Sequence, residues 1–158
     1  MNIASDYETR INAALGTVLR YFNLLELNLG LCIRFLENPK NPERSHPKLA
    51  RSSIAEKLQR LKDLLVTGGL IKDQNEFDNW YKEVGDAKCV RNYYVHGTWE
   101  YLPLRRDAPL GFRIPPWRSE CLRGESELTM RLSELEADAQ QIQVVFEKFI
   151  ALRRKYNV

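Results

Sequence analysis

Histidine and cysteine are scarce in this 158-residue chain: two histidines, His46 and His96, and three cysteines, Cys32, Cys89 and Cys121. The cysteines are odd in number and never spaced C-x-x-C, so the sequence contains neither a disulfide framework nor a zinc pattern. Long apolar runs are also missing. The greasiest segment, residues 21–36, is interrupted by Asn23, Glu26, Asn28 and Arg34, and the first residues show no basic flank followed by an apolar stretch. A membrane span and a signal peptide are therefore not expected. These absences lead to the expectation of a cytoplasmic protein with no metal and no other cofactor.

What is present suits one globular domain over residues 1–158, with 44% hydrophobic and 28% charged residues. The net charge of +3 is unevenly placed: Arg105, Arg106, Arg113, Arg118 and Arg123 face only Asp107 and Glu120 between positions 105 and 123. Trp99, Tyr101, Phe112 and Trp117 surround these arginines. Such a stretch is either a solvated loop with ordinary charge scatter or a surface for a phosphate backbone and unstacked bases. Arg105, Arg106, Arg113, Arg118 and Trp99 are the candidate contacts for such a nucleic-acid strand.

Four helices can be read from the apolar spacing. Ser5 and Glu8 have the form of a capping box, and Ile11, Leu15, Val18, Phe22, Leu25, Leu29, Cys32 and Leu36 follow at steps of four and three. Glu26 is a carboxylate on the shoulder of this seam, where it reaches water or meets a cationic partner. Residues 38–51 hold three prolines and read as a loop containing His46. Ser53 and Glu56 form a second capping box ahead of Ile54, Leu58, Leu61 and Leu65, and Gly68-Gly69 suits a left-handed cap. A third helix starts near 73–75 with Phe77, Trp80, Tyr81, Val84, Ala87 and Tyr94 on its apolar side. The last helix is expected from Ser126, with Leu128, Leu132, Leu135, Ala139, Ile142, Phe146 and Phe149 as its seam. The fold class is all-α, an up-down bundle of four main helices. Between the last two lies an irregular basic insertion, residues 98–125, in which 98–102 and 111–114 can pair as an edge hairpin.

The stretch Arg91-Asn92-Tyr93-Tyr94-Val95-His96-Gly97 gathers a guanidinium, an amide and an imidazole near the end of the third helix. Arg91 shares the apolar face. Gly85, Cys89, Asn92 and His96 form a separate line of small and polar residues, along which a partner could approach closely. Arg91 and His96, five residues apart, diverge by roughly 140° around the axis. His96 either satisfies the last carbonyls of the helix or does chemistry there. Cys89 is about 10 Å along the axis from His96, too far for direct activation within one chain.

Arg91-Asn92-Tyr93-Tyr94-Val95-His96 resembles the R-x(4–6)-H motif of HEPN domains, the higher eukaryote and prokaryote nucleotide-binding family, including the polar residue that often follows the arginine. The motif's place late in a helical bundle, with one long helix after it, is similar to that family's layout over nearly the whole chain. The resemblance implies a homodimer through the motif-bearing helix and a metal-independent endoribonuclease, often the toxin of a toxin–antitoxin pair or a component of antiviral defence. It implies His96 as general acid or base, Arg91 as the stabiliser of phosphorane charge and Asn92 as an orienting group. RNA is then the expected substrate, cut to 2′,3′-cyclic phosphate and 5′-hydroxyl ends, and an antitoxin protein is an expected partner. Glu26 becomes a candidate counter-ion for Arg91. The alternative is a non-catalytic HEPN-like module for nucleotide binding or protein interaction. In HEPN toxins controlled by AMP transfer, a tyrosine often stands two residues after the histidine; that position here is Thr98.

Overall fold

The computed structural model describes residues 3–101, 110–113 and 127–158. Its long elements are helices α1 (Ile3–Glu37), α3 (Ile54–Thr67), α4 (Gln74–His96) and α5 (Leu132–Tyr156), with a 3-10 turn (Pro42–Ser45) and a one-turn helix α2 (His46–Leu49) after α1. The fold is an all-α helical bundle carrying a small antiparallel sheet, β1 (Thr98–Tyr101), β2 (Leu110–Arg113) and β3 (Glu127–Met130), in the order β1-β2-β3. Among the described residues, no helix is long and apolar enough to cross a membrane.

Packing divides the chain into two compact units. Unit 1 comprises residues 1–22 and 86–144, and unit 2 residues 23–85 and 145–158, so α1, α4 and α5 each contribute to both. In unit 1, Ile11, Ala14, Val18 and Phe22 of α1 are buried, as are Ala87, Tyr93 and Tyr94 of α4 and Leu132, Leu135, Ala139 and Ile142 of α5. Arg10 of α1 reaches Glu136 of α5 through Nε and Nη2, both at 2.9 Å. That pair is exposed and contributes at most about 1 kcal/mol, whereas each fully buried leucine or isoleucine contributes roughly 1.5–3 kcal/mol. The apolar seam, not the ion pair, holds these helices.

Unit 2 is centred on Trp80, whose ring stacks on Phe149 at 5.0 Å and whose Nε1 donates to the Val145 carbonyl at 3.2 Å. Glu83 pairs with Lys148 and Glu76 with Lys155, so α4 and α5 run antiparallel. Lys62–Asp78 and Tyr81–Gln59 set α3 antiparallel to α4 in the same way. The up-down order thus holds through α3, α4 and α5. Near the start of α3, Lys57 pairs with Glu26, eleven residues before the end of α1. The connection between them carries the chain back along α1 before α3 begins.

Local chemistry explains the boundaries. Ser53 Oγ accepts from the Glu56 amide and Glu56 accepts from the Ser53 amide, the reciprocal capping box expected there. At the far end Gly69 takes φ 61°, and the bonds Leu70 N–H to Leu65 O and Gly69 N–H to Val66 O complete a Schellman motif. Other expectations are corrected. α1 begins at Ile3, so Ser5 lies inside its first turn. Residues 42–49 are helical turns, because Pro42 and Pro47 occupy early positions where a missing N–H costs nothing. α5 begins at Leu132 and not at Ser126: residues 127–130, including Leu128, form β3, and Glu134 reaches back to the Arg131 amide as the cap. Val145 is fully buried where Phe146 was expected. Strand β2 is central, not an edge, since the paired residues end at Arg113, ahead of Pro115-Pro116.

Two outcomes test this packing. Gly69→Ala forces a side chain into the left-handed region and should lower the unfolding free energy in urea by about 1 kcal/mol; no change would contradict the Schellman cap. Burial pushes the Cys32 thiol from 9.0 up to about 11, with Arg153 pulling weakly the other way. In a Cys89→Ser, Cys121→Ser background, Cys32 should resist thiol reagents at pH 8 until the protein unfolds. Because the folded thiol holds its proton more tightly, its contribution to stability is intact below about pH 9 and fades as pH rises towards about 11.

Candidate functional site

The last turns of α4 belong to unit 1, where apolar Ala87 and Tyr94 bracket Arg91 on one stripe. The stripe carries the stem of Arg91 inward, leaving the residue half-buried with its guanidinium carbon 5.4 Å from the centre of the Phe22 ring. Arg91 Nη1 donates to Asn92 Oδ1 at 2.9 Å. Since arginine only donates, this bond fixes the amide orientation and leaves the Asn92 Nδ2 hydrogens turned elsewhere. Arg91 Nε is buried and has no acceptor among the described residues.

The expected counter-ion lies elsewhere. Glu26 is partnered by Lys57 Nζ at 2.7 Å, so the carboxylate on the α1 shoulder is neutralised by α3. Helical spacing marked Glu26 as a charge needing a cation, but a spacing argument cannot choose between lysines and arginines on other helices. Among the described residues no carboxylate pairs with Arg91. Among the described residues, its charge is met by an aromatic face and a neutral amide. A cation–π contact supplies about 0.5–1 kcal/mol at such a site, while a buried donor without an acceptor costs about 1–3 kcal/mol. The hydrogen bond to Asn92 adds about 0.5–1.5 kcal/mol, so the contacts and the orphaned donor roughly offset each other.

His96 is half-buried in the final turn of α4, which stops at Gly97 before β1 begins at Thr98. Asn92 and Cys89, one and two turns earlier on its side of the helix, are also half-buried. Helical geometry keeps Arg91 and His96 on one continuous helix, about 7.5 Å apart along the axis.

Sequence reasoning missed a second anchor. Tyr94 Oη donates to Asp138 Oδ2 of α5 and lies 4.0 Å from Met130 Sδ, and the Tyr93 ring meets Tyr94 edge-on at 5.4 Å. Asp138, a carboxylate between the buried Leu135 and Ala139, was the available signal.

Of the basic arm, the backbone register sets Thr98 opposite Arg113 and Trp99 opposite Phe112, so position 113 lies beside the residue that follows Gly97. Arg105, Arg106 and Arg118 fall outside the described residues. Among the described residues, no group of three histidine, cysteine or acidic side chains could hold a metal ion. Comparison of the chain with protein-family models, curated proteins and solved structures found no match.

If Arg91 is a site residue and not a structural one, Arg91→Met should leave the unfolding free energy within about 1 kcal/mol of the parent in urea. The lost cation–π contact and hydrogen bond are then offset by removal of the orphaned donor. A loss above about 3 kcal/mol would make the arginine structural.

Proposed function

We propose that this chain is a metal-independent endoribonuclease of the HEPN type, acting as a homodimer joined through α4. The observation that carries the reading is the charge of Arg91, half-buried near the end of α4 and compensated by no carboxylate among the described residues. Such a guanidinium keeps its charge for a phosphate, and beyond the Nη1 hydrogen given to Asn92 its outer planar donors match phosphate oxygens.

In this reading, His96 removes the ribose 2′-hydroxyl proton or protonates the departing 5′ oxygen, and the His96 of a second copy supplies the complementary step. The 2′ oxygen attacks the phosphorus, the bond to the 5′ oxygen breaks, and a 2′,3′-cyclic phosphate remains. Arg91 stabilises the extra negative charge on the five-coordinate phosphorus. Asn92 holds the Arg91 fork through its oxygen and has amide hydrogens left to donate to the phosphate. Trp99 and the arginines at 105, 106, 113 and 118 would contribute stacking and charge for the RNA strand. A toxin or antiviral role with an antitoxin partner is part of the proposal. Thr98, standing where the acceptor tyrosine would be, speaks against control by AMP transfer.

The test uses purified protein and a panel of structured and unstructured RNAs. His96→Ala should lower cleavage by about 10²–10⁴-fold, and Arg91→Ala by about 10²–10³-fold. Arg91→Lys should fail to restore the rate, because a point charge does not replace a planar fork. Cleavage unchanged in both alanine variants would refute the assignment. RNA binding that needs Arg91, without any cleavage, would leave the non-catalytic module as the function.

A further inference from the structure

Unit 2 carries a groove of about 350 Å³ between α1 and the residues that precede and begin α3. Its apolar lining includes Leu27, Gly30, Leu31, Leu49 and Ala50, and at one side lies the Glu26–Lys57 pair. Leu27 is 58% exposed and Phe35, eight residues along α1, is 55% exposed, so an apolar strip continues past the groove. A Cβ added at Gly30 would meet nothing within 4 Å, which leaves room for another backbone to come close.

The segment beside the groove is predominantly basic. Residues 40–51 carry Lys40, Arg44, Lys48 and Arg51 against Glu43, which is already tied to Arg34. All four cations are exposed, and none has a carboxylate partner among the described residues. This short segment alone amounts to +3, equal to the excess of the whole chain. Lys48 and Arg51 immediately flank Leu49 and Ala50 of the groove in sequence.

From this combination we infer that the groove docks an acidic amphipathic helix from another protein, with apolar side chains one turn apart in the groove and carboxylates towards Lys48 and Arg51. An aliphatic floor favours a peptide over a nucleic acid: phosphates would satisfy the cations but leave Leu27 and Leu31 in water, with no aromatic platform in the groove for a base. Lys57 has ammonium hydrogens beyond the one given to Glu26, and these can fix the register of the incoming helix. The groove belongs to unit 2, so the inference stands or falls separately from the nuclease reading.

The probe is a fluorescent synthetic helix of about 16 residues, with leucines at i, i+4, i+7 and i+11 and glutamates elsewhere. Its counterparts are the same peptide with lysines for glutamates and a single-stranded RNA of equal charge. The acidic peptide should bind more weakly as salt rises and should shift backbone amide resonances of residues 27–31 and 48–51. Gly30→Leu fills the groove without touching the core; it should weaken binding at least about tenfold while leaving thermal unfolding no worse, since glycine is a poor helix former. The double change Lys48→Glu, Arg51→Glu should weaken it similarly. Equal binding of the lysine peptide, RNA shifting the same amides, or full affinity in Gly30→Leu would each overturn the inference.

Discussion

The geometry of the candidate site depends on how α4 is pinned. In unit 2, Trp80 is closed on one side by Phe149 and held by its indole N–H on the Val145 carbonyl. In unit 1, Tyr94 is fastened to Asp138 of α5. Within unit 1, the Tyr94–Asp138 bond and the burial of Ala87 and Tyr94 set which way the last turns of α4 face. Arg91 must therefore enter the apolar stripe, while Asn92 and His96 stay on the adjoining polar line. The two-faced arrangement is a consequence of core packing, imposed before any chemistry is considered.

That constraint gives Arg91 its unusual electrostatics. An arginine directed at a core normally finds a carboxylate, because a half-buried charge left unpaired is costly. Here Phe22 and Asn92 are its neighbours and its Nε lacks an acceptor among the described residues. The only candidate carboxylate suggested by spacing, Glu26, serves Lys57. Charged groups left without an opposite charge are common at functional sites, where a ligand can supply it. A phosphate oxygen is a suitable partner for a planar donor set.

Much of this was legible in the sequence. The four-and-three spacing placed Val18, Phe22, Leu25, Leu29 and Cys32 in the core, and all are buried. The Ser53–Glu56 box and Gly68-Gly69 gave both ends of α3, because capping is decided within a few residues. What failed was long-range. Leu128 fits a helical seam as well as a strand, and only pairing with β2 decides for the strand. Glu26 advertised a need for a cation without naming it, and Tyr94–Asp138 joins residues 44 apart, which no local pattern reveals. Pairings between elements depend on their docking, and periodicity on one element is silent about it.

The most direct measurement follows the Arg91 Nε–H resonance of ¹⁵N-labelled protein during titration with a 2′-O-methyl RNA, which can occupy the site but cannot be cut. If the uncompensated guanidinium is the phosphate site, this resonance should move and saturate, since a phosphate held by the outer guanidinium nitrogens changes the field at the buried Nε. A resonance that stays in place while the RNA binds and other signals shift would contradict the account.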